Sequence, residues 1–153
     1  MQTTDRTDEN LNRAIDHTAS EIARTDSKAG LLLTLDGVLV AGLGLLGKDL
    51  PVAALVASGV GVVALVAAVV LGLMVVRPRF GSPNGVQDKG SFVYWADCTD
   101  DEVAASLAED RRIARVRVLS GIARRKMRFL QRSSDASLVA VVALAAAALI
   151  TAA

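Results

Sequence analysis

The chain has 153 residues, of which 52% are hydrophobic, and its net charge of +1 indicates nothing by itself. The single cysteine, Cys98, excludes an internal disulfide, and the single histidine, His17, excludes a histidine-based metal cluster. The distribution of charge is informative, because sixteen of the 17 Lys and Arg residues lie before residue 29 or between residues 77 and 135.

Residues 1–28 are predicted to form a cytoplasmic N-terminal helix. Four positions with 4-3-4 spacing share one face, namely Leu11, Ile15, Thr18 and Ile22. No Pro or Gly interrupts the pattern before Gly30, so the helix is expected to continue into the first apolar run. Asp26 and Lys28 stand where this helix would enter lipid, either as interfacial anchors or as partners of arginines at the ends of other spans.

Three apolar runs, 29–47, 52–76 and 136–153, each approach the roughly 20 residues that a helix needs to cross a bilayer. The last two hold no charged residue. The connector 48–51 is short and contains Pro51, which fits a tight turn between antiparallel spans. We therefore predict three transmembrane helices.

Asp36 is the one ionisable group within the apolar runs. It lies about 12 Å into the first span at the rise of an α-helix. Such a group is costly in hydrocarbon and suggests a function by default. Asp36 could line an aqueous path or bind a partner helix, or it could be a protonated side chain that only packs against a neighbouring helix.

Small residues recur at intervals of four in the second run. They are Ala57 with Gly61, and Ala64 with Ala68 and Gly72. This spacing lets helices approach closely, within one chain or between chains.

The segment 77–135 is predicted to be a cytoplasmic loop followed by a basic helix. Residues 81–90 indicate a loop, and 91–95 are aromatic and fit a short strand or a segment docked on the membrane surface. Residues 99–102 match a capping box, after which a helix of roughly 30 residues is expected to reach about Ser133.

This basic helix has two faces. Its apolar stripe, expected to pack on the N-terminal helix, comprises Val116, Leu119, Ala123, Met127 and Leu130. Its basic face comprises Arg117, Arg124 and Arg128, with Arg125 and Arg132 at the border. Because Val103 and Leu107 fall on another side, the helix either bends near Glu109 or packs its halves on different partners.

Lys and Arg concentrate on the cytoplasmic side of membrane proteins. This rule places the N-terminus and 77–135 in the cytoplasm, and the connector and C-terminus outside. The predicted fold is an all-α membrane protein with three transmembrane helices and a short helical cytoplasmic stalk.

Neither a catalytic constellation nor a metal-ligand cluster is recognisable, so an enzyme is not expected, and no nucleic-acid recognition module is present. Arg side chains present a fork of donors suited to phosphate. A tentative anionic-ligand site therefore comprises Arg77, Arg79, Arg117, Arg124, Lys126 and Arg128, with Asp26 and Lys28 at the membrane junction. The alternative for this basic set is contact with lipid headgroups.

Several short motifs occur in a characteristic order. The junction 25–29 is followed by a span, a second span ends in 77–79, the segment 92–95 precedes an acidic helix start, and the basic helix LSGIARRKMRFLQRS leads into a last span. This order resembles the transmembrane effector family of Pycsar, a bacterial anti-phage system, whose actinomycete members are often described as integral membrane plasmid transfer proteins. The position after Lys126 departs from the pattern, because Met127 stands where an aromatic residue is expected.

The resemblance implies a role in antiviral defence by abortive infection. A partner cyclase would make a cyclic pyrimidine nucleotide, cCMP or cUMP, and the effector would respond by impairing the bacterial inner membrane. The implied partners are the lipid bilayer, this nucleotide and, because three spans cannot enclose a pore, further copies of the chain. No cofactor is expected apart from that activating ligand.

Two other functions fit the same sequence. One is a structural or scaffolding membrane protein, for instance in plasmid spread, which would use the basic helix for a protein or lipid. The other is a holin-like pore subunit that depends on Asp36 and ignores nucleotides.

Overall fold

The computed structural model describes residues 2–44, 50–77 and 89–152, and the regular structure in these ranges is entirely helical. The helices are α1 Gln2–Leu43, α2 Val52–Val76, α3 Phe92–Ala96, α4 Asp100–Ala108 and α5 Arg112–Ala152. By their internal contacts they form two compact units: unit 1 comprises residues 1–23 and 78–124, and unit 2 comprises residues 24–77 and 125–153.

The predicted all-helical fold is confirmed for the described residues, and α2 and α5 are each long and apolar enough to cross a membrane. The first predicted span, 29–47, ends outside the described residues, and its described part comprises about the last third of α1 and Gly44.

For 77–135, one of the two interpretations of the aromatic segment and the extent of the basic helix were wrong. The aromatic segment forms the short helix α3 and not a strand. The predicted single basic helix is divided, because Glu109 is extended and ends α4, after which α5 continues through Ser133 to Ala152. Of the two alternatives, a bend near Glu109 or halves that pack on different partners, the first lies closer to the structure, in which the helix is interrupted at residues 109–111. Asp110 accepts a hydrogen bond from the backbone N–H of Arg112 at 3.1 Å, which helps to start α5.

Unit 1 is organised around a hydrogen-bonded arginine and an indole. The Arg112 guanidinium donates to Asp8 Oδ1 at 2.6 Å and to Asp110 Oδ2 at 2.7 Å. The hydrogen bonds that the side chain and backbone N–H of Arg112 donate to Asp110 lower the pKa of Asp110 to about 2. At a pH above the ordinary pKa of an aspartate, the ionised Asp110 carboxylate therefore stabilises the folded protein. This contribution is lost as the pH falls through about 2. Trp95 Nε1 donates to Ser106 Oγ at 3.1 Å, which joins α3 to α4.

The predicted capping box is confirmed at the start of α4. Thr99 accepts from the backbone N–H of Glu102, and Glu102 accepts from the backbone N–H of Thr99. The hydrogen bond from that backbone N–H lowers the pKa of the Glu102 carboxyl. Two backbone N–H groups at the helix start, which lack partners within the helix, are thereby satisfied.

Unit 2 packs three helical segments along stripes whose buried positions alternate in steps of three and four residues. In α2 the buried residues are Ala54, Ser58, Gly61, Leu65, Ala68, Gly72 and Val75. In the α1 segment they include Thr25, Ala29 and Asp36, and in the α5 segment Leu130, Ser133, Ser137, Ala140 and Ala147. A mean repeat of 3.5 residues keeps one seam of each helix facing its neighbours.

The buried stripe of α2 consists mostly of small residues, and most of the large residues of α2 face outward. Val52, Leu55 and Val63 are 77%, 60% and 71% exposed. A large exposed apolar surface of this kind is rare on soluble proteins and is expected where lipid covers it.

Two glycines in α2 mark the closest approaches. A Cβ atom added to Gly61 would lie 2.7 Å from Leu144 Cγ, and one added to Gly72 would lie 3.0 Å from Leu33 Cδ2 and 3.3 Å from Ser133 Oγ. Gly61, Ala68 and Gly72, predicted as close-packing residues, are buried, whereas Ala57 and Ala64 are half-buried.

We expect Gly61→Val to destabilise the protein by about 1–3 kcal/mol, because the added methyl groups overpack the contact with Leu144. Gly59→Val is the matched control, since a Cβ atom there meets nothing within 4 Å. Thermal unfolding of the detergent-solubilised variants measures the difference. Equal melting temperatures would contradict the close approach of α2 and α5.

Candidate functional site

An ion pair joins α1 to α5 in unit 2. Lys126 Nζ lies 2.5 Å from Asp26 Oδ1 and 2.7 Å from Asp26 Oδ2. The two side chains are only 20% and 35% exposed. Partial burial reduces screening by solvent and salt, so this pair is stronger than an ordinary surface pair.

The core beside this ion pair contains polar contacts between helices. Ser137 Oγ lies 2.8 Å from Asp36 Oδ1, and Ser133 Oγ donates to the Ala68 carbonyl oxygen at 2.9 Å. These contacts connect α5 to α1 and to α2, respectively. Asp36 is fully buried, and its Oδ2 atom has no hydrogen-bond partner among the described residues. Asp36 thus packs against a neighbouring helix.

A basic cavity of about 250 Å³ lies on α5 in unit 2. It is lined by Arg125, Arg128, Phe129 and Arg132. The arginines follow 3-4 spacing, which puts them on one helix face. The Arg125 guanidinium carbon lies 5.9 Å from the centroid of the Phe129 ring, within the range of a cation–π interaction.

Phe129 connects this cavity to the packed core. The buried cluster of unit 2 consists of Ala29, Val75 and Leu130, one residue from each helical segment, and Phe129 packs against it. Phe129 therefore faces both the cavity and the buried cluster in which the three helical segments meet.

The basic residues predicted as ligand contacts do not all lie at the cavity. Arg128 lines the cavity. Arg117 and Arg124 are exposed on the part of α5 that belongs to unit 1. Arg125 and Arg132, which the helical pattern placed at the border of the basic face, line the cavity instead.

Asp26, Lys28 and Lys126 lie within α1 and α5, close to where these helices enter unit 2. Asp26 and Lys126 bind each other, and Lys28 is exposed. Arg77 follows α2 and donates its backbone N–H to the Leu73 carbonyl oxygen at 2.9 Å. Arg79 lies outside the described residues.

The prediction that Met127 belongs to the inward-facing apolar stripe was wrong. Met127 is 37% exposed, and Lys126 holds the inward position between Ala123 and Leu130. Steps of 4-3 and 3-4 between those two residues fit a helix equally well. The structure has the 3-4 spacing, in which Lys126 faces inward and pairs with Asp26.

Sequence reasoning missed Ser137 as the partner of Asp36. The sequence indicated Ser133 only as the approximate end of the basic helix. The available signal was the 3-4-3 spacing of Leu130, Ser133, Ser137 and Ala140, which continues the buried stripe.

A family model described as the Pycsar effector protein domain matches residues 10–153. The chain belongs to the Pycsar effector family. The match includes the Asp26–Lys126 pair, Asp36 and the whole basic cavity. Neither a curated protein nor a solved structure matches the chain.

Membership of the Pycsar effector family implies an anti-phage membrane effector, a class that is generally non-catalytic and responds to a nucleotide signal made by a cyclase. The candidate spans of this Pycsar effector are consistent with a membrane location.

We expect Lys126→Ala to destabilise this Pycsar effector by roughly 1–3 kcal/mol, between the effects for exposed and buried ion pairs, because Asp26 loses its partner. Lys28→Ala, which removes an exposed lysine from the same junction, is the control. Melting temperatures in detergent measure the effect. The exchange Asp26→Lys with Lys126→Asp is expected to recover part of the loss, and no recovery would argue against a pairwise interaction.

Proposed function

We propose that this Pycsar effector is an inner-membrane protein that a cyclic pyrimidine nucleotide, cCMP or cUMP, activates to impair membrane integrity. The observation that carries the proposal is the family match over residues 10–153. A partner cyclase would supply the nucleotide during phage infection, and the damage would stop the cell before phage mature.

In the proposed topology, three helices cross the membrane. Helices α2 and α5 meet the length and composition of spans, and the segment 29–43 of α1 packs with them in unit 2. The outward-facing large apolar residues of α2 support a lipid-covered surface. The positive-inside rule supports a cytoplasmic N-terminus and basic segment, with the C-terminus outside.

The basic cavity supplies the chemistry that a cyclic nucleotide requires. Arg125, Arg128 and Arg132 offer guanidinium forks to the phosphate, and Phe129 offers an apolar ring beside them. The volume lies near the lower end of the ~300–1,000 Å³ usual for small-molecule sites, which suits a mononucleotide. We assign the nucleotide phosphate to this cavity within the larger basic set.

Phe129 provides a route from ligand to helix packing. A phosphate that attracts Arg125 weakens the cation–π contact of this arginine with Phe129. Phe129 packs on the cluster formed by all three helical segments, so its displacement favours a different packing of those segments. The nucleotide can drive this change only if it binds the new packing more tightly than the resting one.

Impairment of the membrane is proposed to need several copies of the chain. Three helices are too few to enclose a water-filled path. The close-packing stripe of α2 could exchange its contacts within the chain for contacts between chains, because small residues serve both. A homo-oligomer is therefore the proposed active form.

The first test is equilibrium binding of the full-length, detergent-solubilised protein to cCMP and cUMP, with cAMP and cGMP as controls. We expect micromolar or tighter binding to one cyclic pyrimidine nucleotide. A folded protein that binds none of the four would contradict the proposal and favour a scaffolding role.

We expect the double variant Arg125→Ala, Arg128→Ala to bind the activating nucleotide at least tenfold more weakly. A hydrogen bond to a charged group contributes about 1.5–3 kcal/mol, and each 1.4 kcal/mol is about tenfold in affinity. The matched control is Arg117→Ala, Arg124→Ala, which removes two arginines from α5 outside the cavity. Equal losses in the two double variants would exclude the cavity as the phosphate site.

A further inference from the structure

The apolar segments of unit 2 contain one kind of charge only. Among the described residues of 29–44, 52–76 and 136–152, Asp36 is the single ionisable side chain, and it is an acid. Lys and Arg are absent from these described segments. Any water-filled path that these segments line inside hydrocarbon would therefore carry negative fixed charge and no positive fixed charge.

Asp36 also has hydrogen-bonding capacity that its surroundings leave unused. Its Oδ2 atom is buried without a hydrogen-bond partner among the described residues, and Oδ1 contacts the hydroxyl of Ser137. That hydroxyl has one hydrogen, yet it also lies 3.1 Å from the Ser133 carbonyl oxygen. A carboxylate can accept about four hydrogen bonds, so this group is poorly satisfied in the resting packing.

The atoms around Asp36 are the ligands of a hard cation. Besides the carboxylate they are the hydroxyl of Ser137, 2.8 Å from Asp36 Oδ1, and the Ser133 carbonyl oxygen, 3.1 Å from that hydroxyl. Oxygen donors of these three types bind small hydrated or partly dehydrated metal cations. Among these groups of the described residues, the hydroxyl hydrogen of Ser137 already has an oxygen partner, so it is not available to bind an anion.

We propose that Asp36, with Ser133 and Ser137, is a cation site that makes the conductance of the activated effector selective for cations over anions. This inference rests on the proposed function, because it requires a nucleotide-gated path through the membrane. Each copy in an oligomer brings one Asp36, and a ring of carboxylates at one depth attracts cations and repels anions. The rearranged packing satisfies the unpartnered Oδ2 atom with water and a cation.

The test is a planar-bilayer recording of the full-length protein across a KCl gradient, with cCMP or cUMP added to open the path. We expect the wild-type current to reverse close to the equilibrium potential of K⁺. Current that reverses at zero would show unselective disruption, and this would overturn the inference while leaving the proposed function intact. No nucleotide-dependent current would overturn both.

Asp36→Asn keeps the shape of the side chain and an oxygen that can accept from Ser137, but it removes the charge. We expect this variant to bind nucleotide as the wild type does and to reverse near zero. Asp36→Glu retains the charge and is expected to retain cation selectivity. Asp135→Asn is the matched control, because it removes an exposed carboxylate from α5 in the same unit and is expected to change nothing.

A purely structural Asp36 predicts a different pattern. In that case Asp36→Asn would alter the melting temperature or the amount of current but not the reversal potential. An unchanged reversal potential in Asp36→Asn would therefore refute the site, and if this variant does not fold, a wild-type current that reverses at zero still refutes the site.

Discussion

The close approach of three helical segments in unit 2 is the constraint on which the other features depend. Gly61 and Gly72 carry no side chain, which leaves room for Leu144 and Leu33 of the neighbouring segments. In lipid there is no hydrophobic force between helices, so such contacts depend on dispersion and on interhelical hydrogen bonds. Close packing at these points brings the polar side chains of α1 and α5 within bonding distance.

Polar contacts then fix which residues face each other. An apolar seam with a 3.5-residue repeat can slide by one heptad at little cost, because each position resembles the next. The pair Asp26–Lys126 and the contact of Ser137 with Asp36 permit only one register of α1 against α5. The contact of Ser137 with Asp36 is buried and the ion pair is partly buried, which makes a mismatched register costly.

The same arrangement accounts for how a soluble signal could act on a membrane. The basic cavity proposed to bind the nucleotide is lined by three arginines and Phe129, and Phe129 also packs against the buried cluster of unit 2. A core of small residues with few large apolar contacts can adopt a second packing more readily than one filled by interlocking side chains. The buried Asp36 Oδ2 atom, which has no hydrogen-bond partner among the described residues, also favours a second packing, because water that reached it would stabilise it.

The amino-acid sequence by itself determined the helical class, the uncharged second span, the capping box at Thr99 and the family, because these depend on composition, short spacing and motif order. It also identified Asp36 as unusual from its apolar surroundings alone. Only the tertiary structure decided that Ser137 is its partner and that Lys126, not Met127, faces inward. Helical periodicity leaves two neighbouring residues equally eligible for one face, and the choice follows from which partner the other helices bring near.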